Sequence, residues 1–224
     1  MQSTNRTDQP AVLNELLIDE LCQRIPSLQV VVPQLRMAYA VCRSALQSGG
    51  TLFVCGNGGS RADAEHITGE LMKGFLKPRA LELAEQVRLQ ERFGAEGAAL
   101  ACGLQGGMRA LVLGSENALT TAVSNDNDPE LIFAQPLYVL GRPGDVLLAL
   151  STSGNARNVG MACRVALLKG MQIIGFTGAG GGGLADLASV CLRVPATKTY
   201  LVQELHLPLY HCLCALLEET FFPS

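Results

Sequence analysis

The chain has 224 residues, 48% hydrophobic and 17% charged, with a formal net charge of −3 at pH 7. It is too apolar and too weakly charged for a disordered chain, and long enough to bury one sizeable core. The slight acidity argues against a general nucleic-acid or anionic-membrane surface, and no apolar run approaches the roughly 20 residues that span a bilayer. The polar opening MQSTNRTDQP has no signal core, so the expectation is a cytoplasmic protein with neither nucleic acid nor membrane as a partner. Eight Cys form no CxxC pair and read as reduced, buried thiols.

Residues 1–10 read as a disordered arm and 11–224 as a single domain, with an N-terminal helical segment over 11–48. Pro26 and Pro33 divide that segment into two helices, and Gly49-Gly50 ends it. The apolar run 51–55 predicts a buried strand, and a helix follows from about 61 to 75. Residues 76–109, rich in Glu, Arg and Ala, predict a helical insertion placed to act as a lid. Strands are expected over 110–114, 145–150, 171–176 and 190–194, with a helix over 156–169. The glycine loop 178–183 lacks the Lys-Ser/Thr of a P-loop and reads as a flexible surface turn. A long apolar helix over 200–221 closes the chain, with Pro208 expected to kink it or start a segment. Strands alternating with helices predict a mostly parallel sheet covered on both faces.

Two turns sit where such a sheet binds ligands, beyond the carboxyl ends of strands. They are Gly56-Asn57-Gly58-Gly59-Ser60 and Ser151-Thr152-Ser153-Gly154-Asn155. Small residues let a backbone approach an anion, and helix N-termini supply N–H groups aimed at it. Neither turn contains Lys or Arg, which suits a phosphorylated metabolite better than a triphosphate clamped with magnesium. Lys73, Lys77 and Arg79 could supply the missing charge, or could be solvated surface groups.

The three His are at 66, 206 and 211. His66 and Glu70 are four apart and share a helix face, and Gln203 and His211 lie eight apart on the last helix. By spacing, His66, Glu70, Gln203 and His211 suit either a divalent metal or mere capping and pairing across a subunit contact.

Taken together, Cys55-Gly-Asn-Gly-Gly-Ser60, Asp63-Ala-Glu-His66, Glu70-Leu71, Ser151-Thr-Ser-Gly-Asn155 and Gln203-Glu-Leu-His206…His211 resemble the sugar isomerase (SIS) domain family, and within it the phosphoheptose isomerases. The likeness covers about residues 10–75 and 115–221. It implies an α/β fold, a three-layer flavodoxin-like sandwich with a five-stranded parallel sheet. It implies a homotetramer with active sites at subunit interfaces. The implied reaction interconverts sedoheptulose 7-phosphate and D-glycero-D-manno-heptose 7-phosphate through an enediol, on the way to lipopolysaccharide heptose. Carried over by position, Ser151, Thr152 and Ser153 would hold the phosphate with Ser60 assisting. Asn57, Gly58, Gly59, Asn125, Asp126 and Gln203 would line the substrate. Glu70 and His211 would be the acid/base pair, and His66, Glu70, Gln203 and His211 would bind one zinc (Zn2+) per subunit.

Two departures stand out. Ala156 occupies a position where the family often has a further Ser, and 76–109 is longer than expected. The resemblance leaves two alternatives open. One is an isomerase for another ketose phosphate. The other is a non-catalytic SIS protein that binds a replication initiator or senses a sugar phosphate. Such a relative shares the Gln203–Cys214 pattern but lacks a carboxylate at position 70.

Overall fold

The computed structural model describes residues 9–223. The arm expected over 1–10 lies outside them except for its last two residues, which open the first helix. In chain order the elements are α1 (Gln9–Arg24), a 3-10 turn (Pro26–Val31), α2 (Val32–Gln47), β1 (Leu52–Cys55), α3 (Gly59–Met72), α4 (Leu83–Gly103) and β2 (Ala110–Val112). Then come α5 (Asn117–Asp126), α6 (Ala134–Leu140), β3 (Val146–Leu150), α7 (Arg157–Leu168), β4 (Gln172–Thr177), α8 (Gly182–Leu187), β5 (Val190–Arg193) and α9 (Thr199–Phe221).

The five strands form one sheet in the order β2-β1-β3-β4-β5, every pair parallel. This is the flavodoxin-like order predicted, with its switch point between β1 and β3. The strands are short apolar runs because both faces are covered. Alternate residues serve two cores. Leu52, Val54, Val146, Leu148 and Leu150 face α1, α2, α3 and α9, whereas Phe53, Cys55, Leu147 and Ala149 face the layer of α6, α7 and α8.

Four expectations need correction. Pro208 does not start a helix: α9 runs through it from 199 to 221. The proline and its neighbours Leu209 and Tyr210 are buried, and that packing offsets one lost backbone bond. The stretch 115–144 holds α5 and α6, which the sequence did not announce; Val123 is the one buried residue of α5, too little for a periodic signal.

Residues 76–109 are helical, but they do not cover the two turns. The stretch leaves the end of α3 farthest from them. It is a folded-back arm, broken at Gly94 (φ +57°) and closed at its base by the Ala80–Gln105 bridge. Gly97 is required there, since a Cβ would lie 1.9 Å from the Leu89 carbonyl oxygen. Finally, Cys102 is exposed, although the eight thiols are free and five are buried as expected.

α9 also carries His206, fully buried, whose Nε2–H donates to the Thr177 carbonyl 3.3 Å away while Nδ1 has no hydrogen-bond partner among the described residues. Burial pushes its pKa down to about 4. The unfolded chain, with a pKa near 6.5, therefore binds more protons between pH 6.5 and 4, and stability falls with pH across that window. The loss should reach about 2 kcal/mol by pH 5. Denaturant melts of wild type and His206→Gln at pH 8 and pH 5 should differ by that amount in their acid sensitivity. Equal sensitivity would remove His206 as the cause.

Candidate active site

Because β1 pairs with β3, the two turns that follow them are neighbours across the switch point. An amide pair ties them: Asn57 Nδ2 donates to Asn158 Oδ1 at 2.8 Å, and Asn158 Nδ2 to Asn57 Oδ1 at 2.9 Å. Asn57 thus spends its amide on joining the turns. Gly58 enters α3 with φ +56°, and neither α3 nor α7 has a side-chain cap. Arg61 N–H goes to the Gly58 carbonyl at 3.0 Å and Val159 N–H to Asn158 Oδ1 at 2.9 Å, so the N–H groups of the first two residues of each helix are the ones left to an anion, and both helix dipoles favour negative charge there. Ser60 and Ser151 are buried at the base, whereas Ser153 is exposed. Ser151 Oγ accepts from Ala156 N–H at 3.4 Å, so the residue in place of the family's Ser still keeps its backbone in the turn.

The glycine loop is not a free surface turn. Gly183 N–H donates to Asn155 Oδ1 at 3.0 Å and Leu184 N–H to the Gly154 carbonyl at 2.9 Å. A Cβ on Gly154 (φ +70°) would lie 1.9 Å from Gly181 O, and one on Gly182 (φ +55°) 2.5 Å from Ser153 O. The glycines let two backbones touch, and the loop buttresses the turn at 151–155. Gly154→Ala should raise KM for a phosphorylated substrate on the order of tenfold, by displacing donors rather than deleting them. An unchanged KM in steady-state assays would show that the turn tolerates the displacement.

The second cluster is built by α3 against α9. His66 Nε2 lies 3.1 Å from Glu70 Oε1 and 3.4 Å from His211 Nε2, within one chain. Behind His66, Tyr210 and Asp63 complete the group, and Phe75 lies 5.4 Å from the His211 ring. Burial, and then His66, hold the His211 pKa below its ordinary value against the pull of Glu70, which keeps a neutral imidazole ready to exchange a proton. Burial raises the Asp63 carboxyl against the opposing bond from Tyr210.

Gln203 stands at the other end of α9, its amide nitrogen 2.4 Å from where a Gly59 Cβ would be, so it overlies the first turn. Along α3, Ser60 and His66 are about 9 Å apart by helix rise. Asn125 and Asp126 end α5, exposed and bonded to each other. For a metal, the donors fit in kind, since two imidazoles and a carboxylate face one another. Among the described residues no group of three or more His, Cys, Asp or Glu side chains is placed to hold a metal ion.

None of the three nearby cations reaches the turns. Lys73 donates to the Gly74 carbonyl, and Lys77 pairs with Glu219 at 2.8 Å. Arg79 is buried, and its Nε donates to Glu218 Oε1 at 2.8 Å. Its other nitrogens donate to the Leu71 carbonyl at 2.7 Å and the Glu70 carbonyl at 3.0 Å. Arg79 therefore ties the residue carrying the carboxylate to the helix carrying His211, a role that reading it as a surface charge missed.

No family model matches the chain. It is 38% identical to the phosphoheptose isomerase of Rhodospirillum rubrum over 188 residues, 84% of this chain and 86% of that protein. The phosphoheptose isomerase of Roseiflexus sp. is 35% identical over 92% of this chain and 93% of its own length. The chain belongs to the phosphoheptose isomerase family. Solved members agree with the fold. The enzyme from Francisella tularensis superposes with a TM-score of 0.72 at 28% identity, covering 96% of this chain and all of its own. The one from Neisseria gonorrhoeae gives 0.69 at 28% identity over 92% and 99%. As a phosphoheptose isomerase family member the chain is an isomerase, and among its described residues no helix is long and apolar enough to cross a membrane.

Proposed function

We propose that the chain interconverts sedoheptulose 7-phosphate and D-glycero-D-manno-heptose 7-phosphate, with the sugar's phosphate at the paired turns. The observation that carries this is the group of Glu70, His66 and His211 brought together by α3 and α9 in the same domain as two uncapped helix N-termini. Glu70 takes a proton from C1, the C1–H electrons form the C1=C2 bond, and the carbonyl oxygen at C2 accepts a proton from His211. Glu70 then returns its proton to C2 while His211 recovers one from the C1 hydroxyl, leaving an aldehyde at C1. Atoms balance, since one hydrogen moves between carbons and one between oxygens.

His66, Glu70 and His211 are the residues that would hold a zinc ion, whereas Gln203, expected with them, lies over Gly59. When bound, such an ion supplies positive charge beside the reacting carbonyl. The reading also takes the protein to be a cytoplasmic homotetramer that sets its sites at subunit contacts. Exposed Leu13, Leu16, Val30 and Met37 support self-association through α1, α2 and the turn between them.

Purified protein incubated with sedoheptulose 7-phosphate should yield the aldoheptose phosphate. Absence of turnover on this ketose and on a panel of shorter ketose phosphates would reject the isomerase and leave a sugar-phosphate-binding protein.

A further inference from the structure

His66 is approached from behind by two side chains that have no place in the proton transfers above. Asp63 lies one turn earlier on α3, and Tyr210 precedes His211 on α9. The Tyr210 hydroxyl is 3.2 Å from Asp63 Oδ1 and 3.0 Å from His66 Nδ1, on a side chain only 1% exposed. Asp63 Oδ2 is buried with no hydrogen-bond partner among the described residues, so the phenol carries that carboxylate's bonding.

The proton count then follows. An ionised carboxylate only accepts, and a phenol has one hydrogen, so that hydrogen goes to Asp63. The phenol oxygen can offer His66 nothing but a lone pair, and Nδ1 must carry the ring's hydrogen. A neutral imidazole has one N–H, which leaves Nε2 bare. Nε2 is the atom facing Glu70 and His211. We propose that Tyr210, backed by Asp63, is a positioning residue that fixes His66 as the Nδ1–H tautomer and turns a lone pair toward Glu70 and His211. Without the phenol, the favourable pairing reverses, because Nε2–H can donate to the Glu70 carboxylate. The consequence for a bound cation rests on the proposed function, but the tautomer does not.

The test is nitrogen-15 NMR on the full chain with labelled histidine, metal removed by chelation, at pH 8. With three His in the sequence, single substitutions assign the signals. Wild type should show His66 protonated at Nδ1 and bare at Nε2. Tyr210→Phe should move the proton to Nε2 and lower the affinity for Co2+, titrated as the metal alone, by about 10- to 100-fold. A wild-type ring protonated at Nε2, or the same tautomer in both proteins, overturns the proposal. The wild-type spectrum decides the matter even if the variant does not fold. A protein with the expected tautomer but no turnover overturns the isomerase and not this inference.

Discussion

Glu70→Gln should lower kcat by about 10³-fold, the range of a lost general base, while KM changes little. The amide keeps the size and the hydrogen-bonding reach of the carboxylate but cannot take a carbon-bound proton. The fold should be indifferent to the change. Among the described residues the Glu70 side chain makes one hydrogen bond, to His66 at 3.1 Å, and its backbone carbonyl is held independently by Arg79. Melting temperature and oligomeric state should therefore match wild type. The assay is initial-rate turnover of sedoheptulose 7-phosphate alongside a thermal melt. Activity within a few-fold of wild type would mean that another group removes the proton. A loss accompanied by unfolding would place Glu70 in the framework instead.

The second large effect concerns stability. Arg79→Met should destabilise the fold by about 3–5 kcal/mol, the usual cost of stranding one member of a buried ion pair. Arg79 and Glu218 have side chains 0% and 1% exposed. Glu218 also accepts from Phe75 N–H at 2.9 Å and Leu76 N–H at 2.8 Å. Burial raises its pKa, but those two bonds and Arg79 outweigh it and hold the carboxyl below its ordinary range. Its contribution is thus present above the unfolded value and disappears as pH falls through the folded one.

Removing Arg79 leaves that charge buried and frees the carbonyls of Glu70 and Leu71 at the end of α3. Adding Glu218→Gln removes the stranded charge and should return part of the loss, with a coupling of about 1–3 kcal/mol between the two sites. Denaturant unfolding of the two single variants and the double variant measures this. Strict additivity, or an Arg79→Met protein as stable as wild type, would sink the assignment. Because the same guanidinium bonds the Glu70 backbone, the single variant should also lose kcat at temperatures where it is folded.

Much of the frame was readable along the chain. Parallel strands covered on both faces must be apolar throughout, so β1, β3 and β4 stand out as short runs. The turns after β1 and β3 announced themselves by Gly, Ser and Asn, residues chosen for local backbone reasons. His66 and Glu70 could be placed on one face because helical spacing is a local rule. Less was visible where the decisive partner is distant. The glycine loop looked idle because its purpose is to let its backbone touch Gly154, some 27 residues earlier. Arg79 looked solvated because its partner, Glu218, is 139 residues away. Pro208 looked like a break because propensity counts the lost bond and not the burial around it.

The sequence by itself determined the residue chemistry: which segments are strands, which turns can face an anion, and which side chains can carry protons. Those properties depend on neighbours within a few residues. Only the tertiary structure decided that β1 lies beside β3, that one chain suffices to unite His66, Glu70 and His211, that Gln203 sits instead over Gly59, and that Tyr210 and Asp63 stand behind the histidine. Each of these depends on a contact across more than 80 residues, selected by burial in a shared core that no local window of the chain contains.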